Sequence, residues 1–312
     1  MSKFDYTKGL VMFGDKFIPF TEANLSIASS PVLYGLSVYT VFSVNFNERN
    51  KKLYAFRLRD HFNRLISSSK IMDFHSFVKD WTYEKFEKMV FDLIEKNNIK
   101  EDVLVRVSVF IDEIVAGTKI HNLKNSISAY VYPIGEILPR TGINVCVSSW
   151  TRNSDNTIPS RAKVNGGYAN VSLMKNEAIL NGYDDAIALD SYGNVTEGTV
   201  ANLFIIRNGE LITPNVNSNI LEGITRDSII KISTGLKLKV IERIVNRSEL
   251  YIADEAFICG SSARITPILS IDKRIIGNGK IGAITSKLKD KYSDIQKGIN
   301  KEYADWRIDC TF

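Results

Sequence analysis

The stretch from Pro133 to Gly142 constrains the architecture more than any other, because two prolines and two glycines fall within ten residues. Proline fixes φ and removes a backbone donor, while glycine loosens the chain, so no helix or strand interior tolerates such a run. It reads as a connection between domains. We place a smaller N-terminal α+β domain at 1–131, an interdomain loop at 132–142 and a larger C-terminal domain at 143–312, two domains being what 312 residues suggest.

The pattern before the connection is strands followed by helices. Two apolar runs flank Gly14-Asp15 and predict a hairpin, and Leu33–Phe46 with Lys51–Phe56 predicts a second. From Asp60 the apolar positions Phe62, Leu65, Ile66 and Ile71 recur at helical spacing, and Phe86, Met89, Val90 and Leu93 do so within Tyr83–Ile94. Val103–Ile111 and Ser126–Tyr132 read as strands. Beyond the connection we expect a strand at Ile143–Ser149, a helix at Tyr168–Leu180 and a strand at Asp185–Asp190. Further elements follow at Leu203–Ile206, Arg226–Ile232, Lys237–Arg243, Glu255–Cys259 and Ile284–Lys297.

Composition removes several classes of function. Forty basic against 35 acidic side chains leave a net charge of +5, spread without long runs, which does not call for nucleic acid. No apolar stretch approaches the ~18 residues of a membrane helix, and Lys3, Asp5, Lys8, Asp15 and Lys16 interrupt the region where a signal core would lie. Cys146, Cys259 and Cys310 lack metal-ligand spacing and read as buried thiols of a reducing, cytoplasmic compartment. His61, His75 and His121 lie too far apart to suggest a metal site or a histidine-centred triad.

The chemistry concentrates in Ser160-Arg161-Ala162-Lys163-Val164-Asn165-Gly166-Gly167-Tyr168, followed by Asn194-Val195-Thr196-Glu197-Gly198. Lys163 precedes a glycine turn and a helix, where other groups can approach closely. Gly223-Ile224-Thr225-Arg226-Asp227 opens a helix, whose free N–H groups and dipole favour an anion, although Thr225 could equally be a plain cap. Cys259-Gly260-Ser261-Ser262-Ala263-Arg264 is a third turn with hydroxyl donors.

These residues, together with Ser148-Ser149-Trp150, Asn156-Thr157-Ile158-Pro159, Ala186-Ile187-Ala188-Leu189-Asp190 and Ala201-Asn202-Leu203-Phe204, resemble the branched-chain amino-acid aminotransferases. Tyr34-Gly35 and Asp60-His61-Phe62-Asn63-Arg64-Leu65 extend the resemblance into the first domain. It implies a two-domain α+β fold of type IV, the branched-chain and D-amino-acid aminotransferase class, with pyridoxal 5'-phosphate as cofactor. Lys163 would form the Schiff base with the cofactor aldehyde and shuttle the proton, since an amine can be both nucleophile and base. Glu197 would keep the ring nitrogen protonated, Tyr168 would bond the ring oxygen, and Arg64, Ile224, Thr225 and Ser261 would hold the phosphate. Asp60, four residues before Arg64, leaves an ordinary helix pair as the other reading of that arginine.

The resemblance further implies substrate contacts from Tyr34, Tyr39, Arg106, Ser262 and Ala263, with Arg106 receiving the distal carboxylate of glutamate. Substrates would be an apolar amino acid and a 2-oxo acid, and the assembly a homodimer or a set of dimers. The sequence departs from the family at Thr40, Ser43, Leu104, Ile134, Ile137 and Arg264, which the comparison places around the substrate. A D-amino-acid aminotransferase, an amine transaminase or an aminodeoxychorismate lyase therefore stays open.

Overall fold

The computed structural model describes residues 4–135, 138–139 and 141–312, so Ile137 lies outside the described residues. The chain forms two compact units, Met1–Gly135 with Ala162–Gly166 and Asp294–Phe312, and Glu136–Arg161 with Gly167–Ser293. Two segments depart from the expected division, which gave everything after residue 142 to the second domain. Ala162–Gly166, carrying Lys163, joins the first unit because its backbone pairs there: the Tyr39 N–H donates to the Lys163 carbonyl at 3.0 Å, and Val38 bridges Val164 antiparallel. The last residues join it because Arg307–Asp309 pairs with Tyr54–Phe56.

In the first unit, β1 (Leu10–Phe13) and β2 (Lys16–Pro19) form the expected hairpin around Gly14. A short helix α1 (Ser30–Tyr34) occupies what the sequence suggested was the start of a strand. Pro31 presets its first turn, and Gly35, at φ 66°, ends it in the left-handed region. Gly35 has a second reason to lack a side chain: a Cβ there would lie 2.6 Å from the Gly166 Cα. Then follow β3 (Ser37–Asn47), β4 (Lys52–Phe56), α2 (Leu58–Ile71), α3 (His75–Asp80), α4 (Tyr83–Lys96), β5 (Val103–Ile111) and β6 (Asn125–Pro133). Of these, α3 was not expected.

The seven strands run in the order Arg307–Asp309, β4, β3, β5, β6, β1, β2, every pair antiparallel. Helix α4 shows how sequence builds this layer. Thr82 caps it by accepting from the Lys85 N–H, a contact worth about 1 kcal/mol, and Phe86, Met89, Val90 and Leu93 form one buried stripe. Because side chains alternate along a strand, β3 and β5 present two different faces. Register pairs Tyr39 with Ser108 and Val41 with Arg106, so Ser37, Tyr39, Ser43, Leu104 and Arg106 share one face. Thr40 and Phe42 take the other, where Phe42 meets His61 of α2 and Phe86 of α4.

The second unit contains β7 (Ile143–Thr151), α5 (Tyr168–Leu180), β8 (Asp185–Leu189), β9 (Val195–Gly198), β10 (Asn202–Arg207), β11 (Glu210–Pro214), α6 (Ile224–Gly235), β12 (Val240–Arg243), α7 (Arg247–Leu250), β13 (Glu255–Gly260), β14 (Arg264–Ile271) and β15 (Arg274–Ile275). Its mixed sheet runs β12, β11, β10, β13, β14, β7, β8, β9, with β15 beside β14. Ile143, Val145, Ile187, Leu203, Ile258 and Ile268 belong to one buried cluster on it. Each such side chain contributes roughly 1.5–3 kcal/mol. Cys146 lies under α5 with Met174 and Ala178. All three thiols are buried, and burial pushes Cys146 up to about 11 and Cys310 up to about 12. Among the described residues, no helix is long and apolar enough to cross a membrane.

Candidate active site

The expected site residues divide between the units. Tyr34, Tyr39, Arg64, Arg106 and Lys163 belong to the first; Tyr168, Glu197, Ile224, Thr225, Ser261, Ser262 and Ala263 belong to the second.

In the first unit, Tyr39 is the meeting point. Its ring, buried on β3, carries the Arg106 guanidinium 3.7 Å and the Lys163 Nζ 4.7 Å from its centroid. A ring face attracts a cation without supplying a counter-charge, so the contact orients both groups and neutralises neither. Arg106 also donates through Nη2 to Asn165 Oδ1 at 2.7 Å, and Asn165 Nδ2 donates to Ser37 Oγ at 2.6 Å. The Lys163 N–H donates to Ser68 Oγ at 3.1 Å, completing a backbone clamp on both sides of the lysine. A cavity of about 510 Å³ in this unit has Ser37, Ser108, Tyr130 and Asn165 on walls that are otherwise mostly apolar.

Arg64 lies on α2, where its Nη2 reaches Thr40 Oγ1 at 3.4 Å. Thr40 Oγ1 also bonds His61 Nδ1 at 2.8 Å. His61 is 2% exposed; burial pushes its imidazole well below the usual histidine range, and Arg64, Arg57 and Lys163 push it in the same direction. A neutral ring among cations follows. Asp60 pairs with Arg57 at 2.6 Å. Tyr34, the last residue of α1, stands on the surface. Three of the residues that depart from the family are interior. Thr40 meets His61, Ser43 accepts from Gln296 Nε2 at 3.1 Å, and Leu104 is fully buried.

In the second unit, Glu197 on β9 is the one carboxylate of the expected set. It is 4% exposed and ion-pairs through Oε1 with Arg152 Nη2 at 2.8 Å. Asn202 Nδ2 donates to Oε2 at 2.8 Å, and the Leu221 N–H reaches both oxygens at 3.2 and 3.3 Å. Removing a charge from water costs several kcal/mol, and such a pair stands only when the remaining lone pairs are also satisfied. Here they are. Asn202 Nδ2 also donates to the Leu221 carbonyl at 2.9 Å, tying β10 to the approach to α6. Gly223 caps that helix, and a Cβ there would fall 1.9 Å from Asn202 Oδ1, so any side chain at this position would displace the Asn202 amide.

Ile224 and Thr225 are the first residues of α6, whose opening N–H groups have no intrahelical acceptor by geometry. Thr225 is buried, with its hydroxyl 3.4 Å from that of Tyr292. Tyr168 begins α5 half-buried. Ser261, Ser262 and Ala263 form the tight turn between β13 and β14, and Arg264, which opens β14 opposite Gly260, takes a left-handed φ of 53°.

Sequence reasoning assigned no role to Arg152, Asn202, Asn165 or His61, although all four lie within the recognised motifs or beside them. The available signal was a polar residue leading an apolar run, as Asn202 does before Leu203–Ile206.

Amino-transferase class IV, as a family, matches residues 37–271. A probable branched-chain-amino-acid aminotransferase of Aquifex aeolicus is 38% identical over 304 residues, covering 96% of each chain. The crystal structure of a branched-chain aminotransferase from Thermoproteus uzoniensis with norvaline superposes with a TM-score of 0.93 at 35% identity, covering 97% of this chain and 99% of that one. The branched-chain amino acid aminotransferase from Thermobaculum terrenum, in its PLP-form, gives 0.92 at 32% identity, covering 99% and 100%.

Proposed function

The chain belongs to the amino-transferase class IV family, and from that premise we propose that it transfers an amino group between a branched-chain or other apolar L-amino acid and 2-oxoglutarate, giving the 2-oxo acid and L-glutamate. The observation that carries this reading is the Tyr39 ring, which has both an amine and a guanidinium packed against it. One supplies acid and base chemistry; the other suits the carboxylate of an acidic partner.

The residues present fit pyridoxal 5'-phosphate. In the first unit Lys163 would provide the amine for its aldehyde; in the second Glu197 would offer a pinned carboxylate to its ring nitrogen and the α6 N-terminus behind Gly223 a cradle to its phosphate. When bound, the cofactor supplies an electron sink for the substrate Cα. Lys163, clamped through its backbone, would take the proton from Cα and return it on the other side of the transfer. Arg152 and Asn202 would keep Glu197 ionised and aimed. Arg64 with Ile224, Thr225 and Ser261 would hold the phosphate, Tyr168 the ring oxygen, and Ser262 and Ala263 the α-carboxylate. Tyr34 would border the substrate.

We further propose a homodimer in the cytoplasm. Ile27, Val32, Leu33 and Tyr34 leave an apolar surface around α1, exposed at 86, 54, 53 and 41%, which a second copy would cover. The buried thiols suit a reducing compartment. The test of function is to add amino donors singly to the holoenzyme and follow cofactor absorbance. L-Leucine, L-isoleucine and L-glutamate should each change it; a response to D-alanine or a simple amine, without one to L-leucine, would overturn the assignment.

A further inference from the structure

Resting on the reading of Arg106 as the carboxylate receptor, we propose that Asn165 is the positioning residue that makes Arg106 selective for dicarboxylate substrates. A guanidinium only donates, so the Asn165 amide must turn Oδ1 toward Arg106, at 2.7 Å. That fixes Nδ2 on Ser37 Oγ, at 2.6 Å, and makes the serine the acceptor. Both ends of the amide are thereby held, and it cannot flip.

Arg106 receives two constraints in different directions: a hydrogen bond at one edge of the guanidinium, and the Tyr39 ring against its face at 3.7 Å. Together they set both the tilt and the rotation of the fork. Several other arginines of this chain are held by carboxylates, as in Arg57 with Asp60, Arg226 with Glu242 and Arg247 with Asp272. The partners the structure gives Arg106 among the described residues are neutral. Tyr130, opposite Arg106 in the β5–β6 register, is a neutral phenol too, burial raising it while Arg106 opposes. A fork that is fixed in direction yet keeps its whole charge is what two-point recognition of a carboxylate needs. The choice of an amide over an acid at residue 165 is the decisive detail. An aspartate would hold Arg106 equally well and consume the charge that the substrate must find.

The experiment measures inhibition of the holoenzyme by two unreactive probes, glutarate, a dicarboxylate, and 4-methylvalerate, a branched monocarboxylate, and compares the ratio of their inhibition constants. A charge-assisted contact is at stake, so Asn165→Asp should shift this ratio against glutarate about tenfold or more, and Asn165→Ala by about threefold. Ser37→Ala, which frees the far end of the amide, should shift it about twofold in the same direction, and it stands in if the aspartate variant fails to fold. A loss of both probes in equal measure, or an unchanged ratio in Asn165→Asp while Arg106→Met loses glutarate, would overturn the role of Asn165 and leave the reading of Arg106 standing. An unchanged ratio in Arg106→Met would overturn both.

Discussion

In the first unit Arg106 and Lys163 rest against one aromatic ring, whereas in the second Glu197 is locked by a guanidinium, an amide and a backbone N–H. The difference follows what each group would be asked to do. A lysine that exchanges partners and protons needs contacts that are weak one by one and yield when its ionisation changes. A carboxylate that must stay charged throughout needs the reverse, and a buried ion pair with satisfied lone pairs provides it. A polar group's partners thus tell whether it is built to change state or to hold it.

The contrast breaks most sharply at Lys163. Lys163→Ala should lower the half-reaction with L-leucine by about 10³-fold or more, in line with the contribution of a positioned acid and base, and borohydride reduction of the wild type followed by peptide mapping should label Lys163. Label on another lysine would remove it from the centre. On the locked side, Glu197→Gln should keep the cofactor but lose about 10²-fold in turnover. The amide keeps the shape and drops the charge, and each pKa unit lost at the ring nitrogen costs about 1.4 kcal/mol. Near-normal turnover would show that the network around Glu197 serves packing alone.

A smaller effect belongs to Arg106. Arg106→Met should raise the KM for 2-oxoglutarate by about one to two decades, the worth of a charge-assisted contact of roughly 1.5–3 kcal/mol, and disturb L-leucine much less. Equal losses for both substrates would make the arginine structural. The smallest expected effect concerns His61. Its pKa is lower folded than unfolded, so the folded state binds fewer protons, and its contribution to stability is present above the unfolded value of about 6.5 and lost as pH falls below it. Urea unfolding between pH 7.5 and 5 should lose up to about 1.4 kcal/mol per pH unit below that value, and His61→Gln should flatten the slope. An unchanged slope would mean that other groups set the acid sensitivity.

Local rules made the lysine segment, the α6 N-terminus and most strands readable, because a glycine turn, a cap and an apolar period are properties of neighbours in sequence. They failed where a competing signal or a long-range partner decided. Leu33 and Tyr34 look like strand residues, yet Pro31 and Gly35 on either side bend the segment into α1. Arg307–Asp309 is too short and polar to announce a strand, and it becomes one because β4 offers an open edge. Arg152, Asn202 and Asn165 sat within or beside recognised motifs without roles because which carboxylate, helix mouth or arginine each one meets is fixed by the pairing of distant strands. The assignment of Lys163 to the second domain followed chain order, whereas hydrogen bonding to β3 decided otherwise.

The pairing of Arg307–Asp309 with β4 joins stretches about 250 residues apart in the chain. During synthesis the ribosome delivers β3, β4 and α2 before the second unit, but the edge strand that covers β4, and the Trp306 ring on which Arg57 rests, arrive only after the strands of the second unit. The Lys163 segment, which bridges β3, also arrives after β3 and its neighbours β4 and β5. Translation order and assembly order therefore run against each other: the first unit to be started is the last to be finished, and in the interval its β4 edge is open to strand pairing by any extended chain nearby.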